Sequence, residues 1–173
     1  MKKYLFFLFL ISFVLIFLKK EKINELLDII FKKNGLYLIS ILDKEEYIDA
    51  RIKGSVFCDI DNVDEFLKNI DKSNILVFYC ANYLCTSSEE IAIYAFEKGF
   101  KKIYVYKDGI SDWIQKSKKN KEYKYDGLAE FKYLEIISSK KEKYLIKNEN
   151  NKYFKIISAE DLQNLIKSNK LFI

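Results

Sequence analysis

Cys80 and Cys85 bracket a short loop, Ala81-Asn82-Tyr83-Leu84, between the apolar run Ile75–Tyr79 and the helix-opening series Thr86-Ser87-Ser88-Glu89-Glu90. A thiol held at the end of a strand and facing the first turn of a helix meets free backbone N–H groups and the positive end of the helix dipole, both of which favour a sulfur anion. Such a thiol is a nucleophile. Cys58, in strand-like Val56–Ile60, reads instead as inert core. Three unevenly spaced cysteines make no disulfide framework, and no Cys-x-x-Cys pair marks a zinc site. The chain has no histidine, which removes Ser-His and Cys-His catalysis and His-containing metal sites. No metal and no cofactor is expected.

The elements that must hold Cys80 can be read from periodicity. Ile23–Phe31 has helical spacing and ends at Asn34-Gly35; Leu36–Leu42 reads as a strand, Lys44–Ala50 as a short helix, and Gly54 introduces a second strand-like piece, Ser55–Ile60. Val63–Ile70 is helical, Ile75–Tyr79 is a buried strand, Glu89–Lys98 is a helix ended by Gly99, Ile103–Tyr106 is a strand and Ile110–Lys116 is helical. Strands and helices alternating at these intervals imply an α/β fold with right-handed crossovers and a parallel sheet covered by helices on both faces. Ligands of such sheets sit at the carboxyl ends of the strands, where Cys80 lies.

Lys116–Lys124 is a polar link that marks a boundary. Beyond it, Lys132–Ile137, Lys143–Lys147 and Tyr153–Ile157 look like strands, and Ala159–Ile166 like a helix capped by Ser158. This small C-terminal extension either packs on the main unit or serves as an appendage for a protein partner. Half of the 173 residues are apolar, enough for a real core without disulfide staples. The net charge of +5 is unevenly placed: residues 23–131 carry 16 basic and 19 acidic side chains, while both ends of the chain are basic. The main unit therefore lacks the basic stripe that nucleic-acid binding requires.

Tyr4–Leu18 is uncharged and apolar, bracketed by Lys2-Lys3 and Lys19-Lys20. As a helix it would be about 22 Å long against a hydrocarbon core of about 30 Å, so it spans if the flanking lysines snorkel or the bilayer thins. Signal-peptide cleavage wants small residues after the apolar run, and Lys19-Lys20-Glu21-Lys22-Ile23 offers none. The expectation is an uncleaved single-pass signal anchor over residues 1–22, a main domain over 23–118 and the extension over 119–173. A short basic start before a hydrophobic run resembles an export signal, which places the main domain outside the cytoplasm, in the periplasm.

From about Gly35 to Lys116 the chain resembles a rhodanese-homology domain, the module of sulfurtransferases. Gly35–Leu42 with Glu46-Tyr47 resembles that family's opening strand and Glu-aromatic pair, and Ala50-Arg51-Ile52-Lys53-Gly54-Ser55 aligns with its Gly-His-Ile-x-Gly-Ala. Phe78-Tyr79-Cys80 aligns with its active-site loop, and Gly99-Phe100 through Asp108-Gly109 to Trp113 with its closing signature. The order and spacing carry the resemblance. Ser40-Ile41-Leu42 stands where the family has Asp-Val-Arg, Arg51 where it has His, Asp108 where it has the first closing Gly, and Cys85 where an arginine is often found. A phosphatase or arsenate reductase of related form would need an arginine where Thr86 stands.

The resemblance implies that the Cys80 thiolate takes the outer sulfur of a donor, carries it as a persulfide and yields it to a thiol acceptor. Amides of Ala81, Asn82, Tyr83, Leu84, Cys85 and Thr86 would cradle the anion without a charged side chain. With no loop arginine, and with Glu89 and Glu90 in the helix's first turn, a persulfide or polysulfide donor fits better than thiosulfate. Those glutamates are expected to cap the helix through Thr86-x-x-Glu89 or Ser87-x-x-Glu90, and Lys107 to be a solvated lysine. Cys85 has two readings: a thiol that resolves the Cys80 persulfide, which requires Cα atoms within about 7 Å, or a small residue packed under the helix start. Two other functions compete with sulfur transfer, a non-catalytic binding module and a dithiol redox protein using Cys80 and Cys85.

Overall fold

The computed structural model describes residues 35–130 and 151–172. The expected anchor, the helix at 23–31 and the strands at 132–137 and 143–147 lie outside the described residues. Among the described residues, no helix is long and apolar enough to cross a membrane.

A five-stranded parallel sheet organises the domain, in the order β3-β1-β4-β5-β7, with β1 Leu36–Ser40, β3 Val56–Phe57, β4 Ile75–Tyr79, β5 Lys102–Tyr106 and β7 Lys155–Ile156. The helices are α1 Lys44–Asp49, α2 Val63–Lys68, α3 Ser87–Glu97, α4 Gly109–Lys119 and α5 Ala159–Ser168. β4 is apolar throughout because both of its faces are covered. Leu76 and Phe78 pack with Val63, Leu67, Ile91, Ala92 and Ala95 of α2 and α3, whereas Val77 and Tyr79 pack with Ile110, Trp113, Ile114 and Leu162 of α4 and α5. The register Leu36↔Ile75 through Ser40↔Tyr79, and Ile75↔Lys102 through Tyr79↔Tyr106, brings the ends of β1, β4 and β5 level. Cys80 therefore opens a loop at the carboxyl edge of the central strand.

Two features have no local signature in the sequence. β2 Ala50–Ile52 pairs antiparallel with β6 Tyr125–Gly127, forming a separate two-stranded ladder. The expected strand Ser55–Ile60 is shortened to Val56–Phe57, because Asp59 accepts a hydrogen bond from the Asp61 amide at 3.1 Å and turns the chain into a 3-10 segment at Ile60–Asn62.

Residues 151–172 pack on the main unit. β7 pairs with β5 through Tyr104↔Lys155 and Val105↔Ile156, and Phe154, Ile157 and Leu162 are buried. Helix α5 begins at a full capping box: Ser158 Oγ accepts from the Asp161 amide at 3.1 Å, and Asp161 accepts from the Ser158 amide at 3.1 Å. After α5 the chain returns to β1, where the Leu36 amide donates to Lys170 O at 2.9 Å and the Phe172 amide to Leu36 O at 3.0 Å.

Candidate active-site loop

The loop is fixed first at the strand that feeds it. Tyr79 is fully buried, and its hydroxyl meets Ser55 Oγ at 2.7 Å and accepts the Ile52 amide at 3.2 Å, tying the end of β4 to β2 and the turn that follows it. The carbonyls of Cys80 and Ala81 then accept from the amides of Ile110 and Ser111, each at 3.0 Å. These donors belong to the first turn of α4, whose free N–H groups are in this way satisfied by the loop. Gly109 makes the approach possible: its φ is +67°, and a Cβ there would collide with Cys80 O and lie 2.8 Å from Ala81 C and O.

Within the loop, buried Asn82 makes a local turn, its Oδ1 accepting the Leu84 amide at 3.0 Å and its carbonyl accepting the Cys85 amide at 3.1 Å. The amides of Ala81, Asn82, Tyr83, Thr86, Ser87 and Ser88 make no hydrogen bond to the described residues. Of the six residues expected to cradle an anion, Ala81, Asn82, Tyr83 and Thr86 thus retain available amides. Those of Leu84 and Cys85 are spent on Asn82.

Cys80 and Cys85 are joined by a disulfide, with Cα atoms 6.3 Å apart. Cys80 is buried, its Sγ 3.4 Å from the carbonyl of Ile41; Cys85 is partly exposed, next to Leu84, which is 58% exposed. Cys58 is the remaining described cysteine, and burial, followed by the charge of Asp59, pushes its thiol up to about 12. It stays a protonated core residue.

The charged groups around the loop differ from the sequence expectation in two respects. Lys107 is not solvated: it is 4% exposed, ion-paired with Glu89, and donates to the carbonyl of Cys85 at 2.5 Å. The first-turn glutamates do not form a capping box either. Glu89 is drawn to Lys107, and Thr86 Oγ1 donates to Glu90 at 2.7 Å, so the Thr86 side chain caps no amide. The buried Lys107 cation needs a carboxylate, and meeting that need takes Glu89 away from the cap.

Other residues aligned with the family signature are structural. Arg51 lies over the Tyr47 ring, 5.1 Å from its centroid. Trp113 packs edge-on against Tyr106 and Tyr123 and donates to Lys124 O at 2.9 Å, while Tyr106 donates to Asp112 at 2.6 Å. The loop's positioning partners Ile41, Lys107, Gly109, Ile110 and Ser111 were not read as such from the sequence; the Asp108-Gly109 pair is the one local sign of a turn there.

Residues 22–116 match the model of the rhodanese-like domain family. A thiosulfate sulfurtransferase GlpE of Coxiella burnetii is 26% identical over 82 residues, covering 47% of this chain and 75% of that protein. Its namesake from Pseudomonas paraeruginosa is 30% identical over 82 residues, covering 47% and 73%. Among solved structures, the BH2092 protein of Bacillus halodurans superposes with a TM-score of 0.48 at 18% identity over 61% of this chain and 74% of that one. A Rhodanese_3-like domain of the Alr3790 protein from Anabaena sp. gives 0.46 at 18% over 54% and 93%.

Proposed function

The chain belongs to the rhodanese-like domain family, and on that premise we propose that it is a sulfurtransferase whose Cys80 thiolate takes a sulfane sulfur, carries it as a persulfide and passes it to a thiol acceptor. The observation that carries this reading is the position of Cys80: it directly follows the central strand and opens a loop in which the amides of Ala81, Asn82, Tyr83 and Thr86 have no partner among the described residues. Uptake follows reduction of the bond to Cys85, which frees the nucleophile. A thiolate and then a persulfide anion are stabilised by those amides and by the start of α3, without a general acid or base.

The curated relatives are named for thiosulfate, but the charges of this loop favour another donor. It contains no arginine, and Lys107, which touches the loop at the Cys85 carbonyl, is buried against Glu89. A dianion finds no cationic clamp, while a persulfide or polysulfide depends on one less. Residues 4–18 hold the domain at the outer face of a membrane. The test is steady-state turnover of the reduced full chain with a thiol acceptor: kcat/KM should be about tenfold or more higher with a low-molecular-weight persulfide than with thiosulfate, and both should vanish in Cys80→Ser. Turnover retained in that variant would remove the reading. For the membrane assignment, the chain should stay with membranes in alkaline carbonate and leave them in detergent.

A further inference from the structure

We propose that Cys85 is a resolving thiol, giving the Cys80 persulfide a second exit in which the sulfane sulfur leaves as hydrosulfide and the loop closes as the Cys80–Cys85 disulfide. This rests on the persulfide of the preceding section. Three observations converge on it. The two sulfurs are joined across a Cα separation of 6.3 Å, inside the range disulfides adopt, so the loop brings Cys85 within bonding reach of Cys80. Two bonds on the backbone of Cys85 place it there: its amide is held by Asn82 O at 3.1 Å and its carbonyl by buried Lys107 at 2.5 Å. Burial is also asymmetric, with Cys80 5% exposed and Cys85 more open beside exposed Leu84.

The step balances without further reagents. Cys85, as thiolate, attacks Sγ of Cys80, the inner sulfur of the persulfide. The bond between Cys80 Sγ and the carried sulfur breaks, and that sulfur departs with the electron pair, taking up the proton given up by Cys85. The carried sulfur is reduced to hydrosulfide while the two cysteine sulfurs are oxidised to the disulfide. Resetting the loop requires two electrons from an external dithiol. Its point of attack is Cys85 Sγ, on the more open of the two residues, and Cys80 leaves as the thiolate that the surrounding amides stabilise. The partner that this chemistry calls for is therefore a dithiol reductant able to approach the Leu84–Cys85 side of the loop.

Lys107 and Glu89 act in this step as positioning residues. The ammonium, neutralised by Glu89, anchors the Cys85 carbonyl and sets where its side chain stands relative to Cys80.

The experiment is a single turnover of the pre-reduced full chain with about one equivalent of glutathione persulfide and no acceptor thiol, a donor whose own leaving group is glutathione and not hydrosulfide. The wild-type chain should release hydrosulfide in a burst and finish with Cys80 and Cys85 both protected from alkylation; Cys85→Ser should keep the sulfur on Cys80 and release none. If the wild-type chain holds the persulfide while Cys85 remains alkylatable, the resolving role is wrong and the sulfurtransferase reading stands. If neither protein acquires sulfur at Cys80, both fall. The alkylation pattern of the wild-type chain decides the question even where the variant misfolds. Lys107→Met and Glu89→Gln should slow the hydrosulfide burst about tenfold or more, and by a larger factor than they slow loading of Cys80, a split that a purely structural role would not produce.

Discussion

The amide of Ile110 donates to the carbonyl of Cys80 at 3.0 Å, so the first turn of α4 is bolted to the proposed sulfur carrier. The close approach exists because Gly109 has no side chain and a φ of +67°. Gly109→Ala introduces a Cβ against backbone atoms that cannot swing aside, in a conformation that L-residues rarely adopt. Its expected cost is about 1–3 kcal/mol of stability, with a matching loss of sulfur uptake, read by denaturant titration and by loading of Cys80. A variant as stable and as active as wild type would show that α4 does not constrain the loop.

The buried pair Lys107–Glu89 makes an asymmetric prediction. Glu89→Ala removes the carboxylate paired with an ammonium that has only 3% of its side chain exposed, at a cost of about 3 kcal/mol. Lys107→Met replaces the cation with an apolar side chain of similar length, and Glu89, 13% exposed at its side chain against 3% for Lys107, lies nearer to water. It should cost less, and adding Lys107→Met to Glu89→Ala should recover part of the lost stability. Equal effects of the two single substitutions would contradict this account.

Alkaline pH should destabilise the fold through buried groups, Cys58, Tyr79 and Tyr106, each of which burial raises. Burial raises Cys58 from about 9 to about 12, and burial, partly opposed by hydrogen bonds with Ser55 and Ile52, raises Tyr79 from about 10 to about 12. Between the unfolded and folded values the native state keeps a proton that the unfolded chain has lost, so stability is full below about pH 9 and falls as pH rises towards about 12. Denaturation of the reduced chain from about pH 8 to about pH 11 should show this decline, with Cys58→Ala delaying its onset to the range where Tyr79 and Tyr106 begin to titrate. Flat stability across that range would mean that none of these groups is as buried as described.

The parts of the site that could be read from sequence were those decided by neighbours along the chain. Leu76, Val77, Phe78 and Tyr79 are all fully buried, and a strand covered on both faces announces itself as an unbroken apolar run ending at Cys80. Ser158 and Asp161 were legible for the same reason, since a capping box closes within four residues. Long-range partners were not. Lys107 looks like any surface lysine until Glu89, 18 positions earlier, is brought against it, and that pairing also draws Glu89 away from the cap its spacing suggests. Ala50–Ile52 finds Tyr125–Gly127 across most of the domain, and no periodicity in so short a segment could reveal it. The bond between Cys80 and Cys85 needed the side-chain directions that the turn at Asn82 sets.

The C-terminal segment belongs to the core by its packing, and this too can be checked. Leu162 is fully buried on the face of the sheet shared by Tyr79, Trp113 and Ile114. Leu162→Ala should cost about 2–5 kcal/mol, and removing residues 151–173 should abolish cooperative unfolding of the remainder. An unchanged transition after that truncation would make the segment an appendage.

Peptide-level mass spectrometry on the reduced full chain, alkylated within moments of exposure to a small persulfide, tests the central claim most directly. It should find one added sulfur on Cys80 and none on Cys58, and the adduct should be absent from Cys80→Ser. Added sulfur found elsewhere, or no added sulfur on any cysteine, would contradict the assignment of Cys80 as the sulfur carrier.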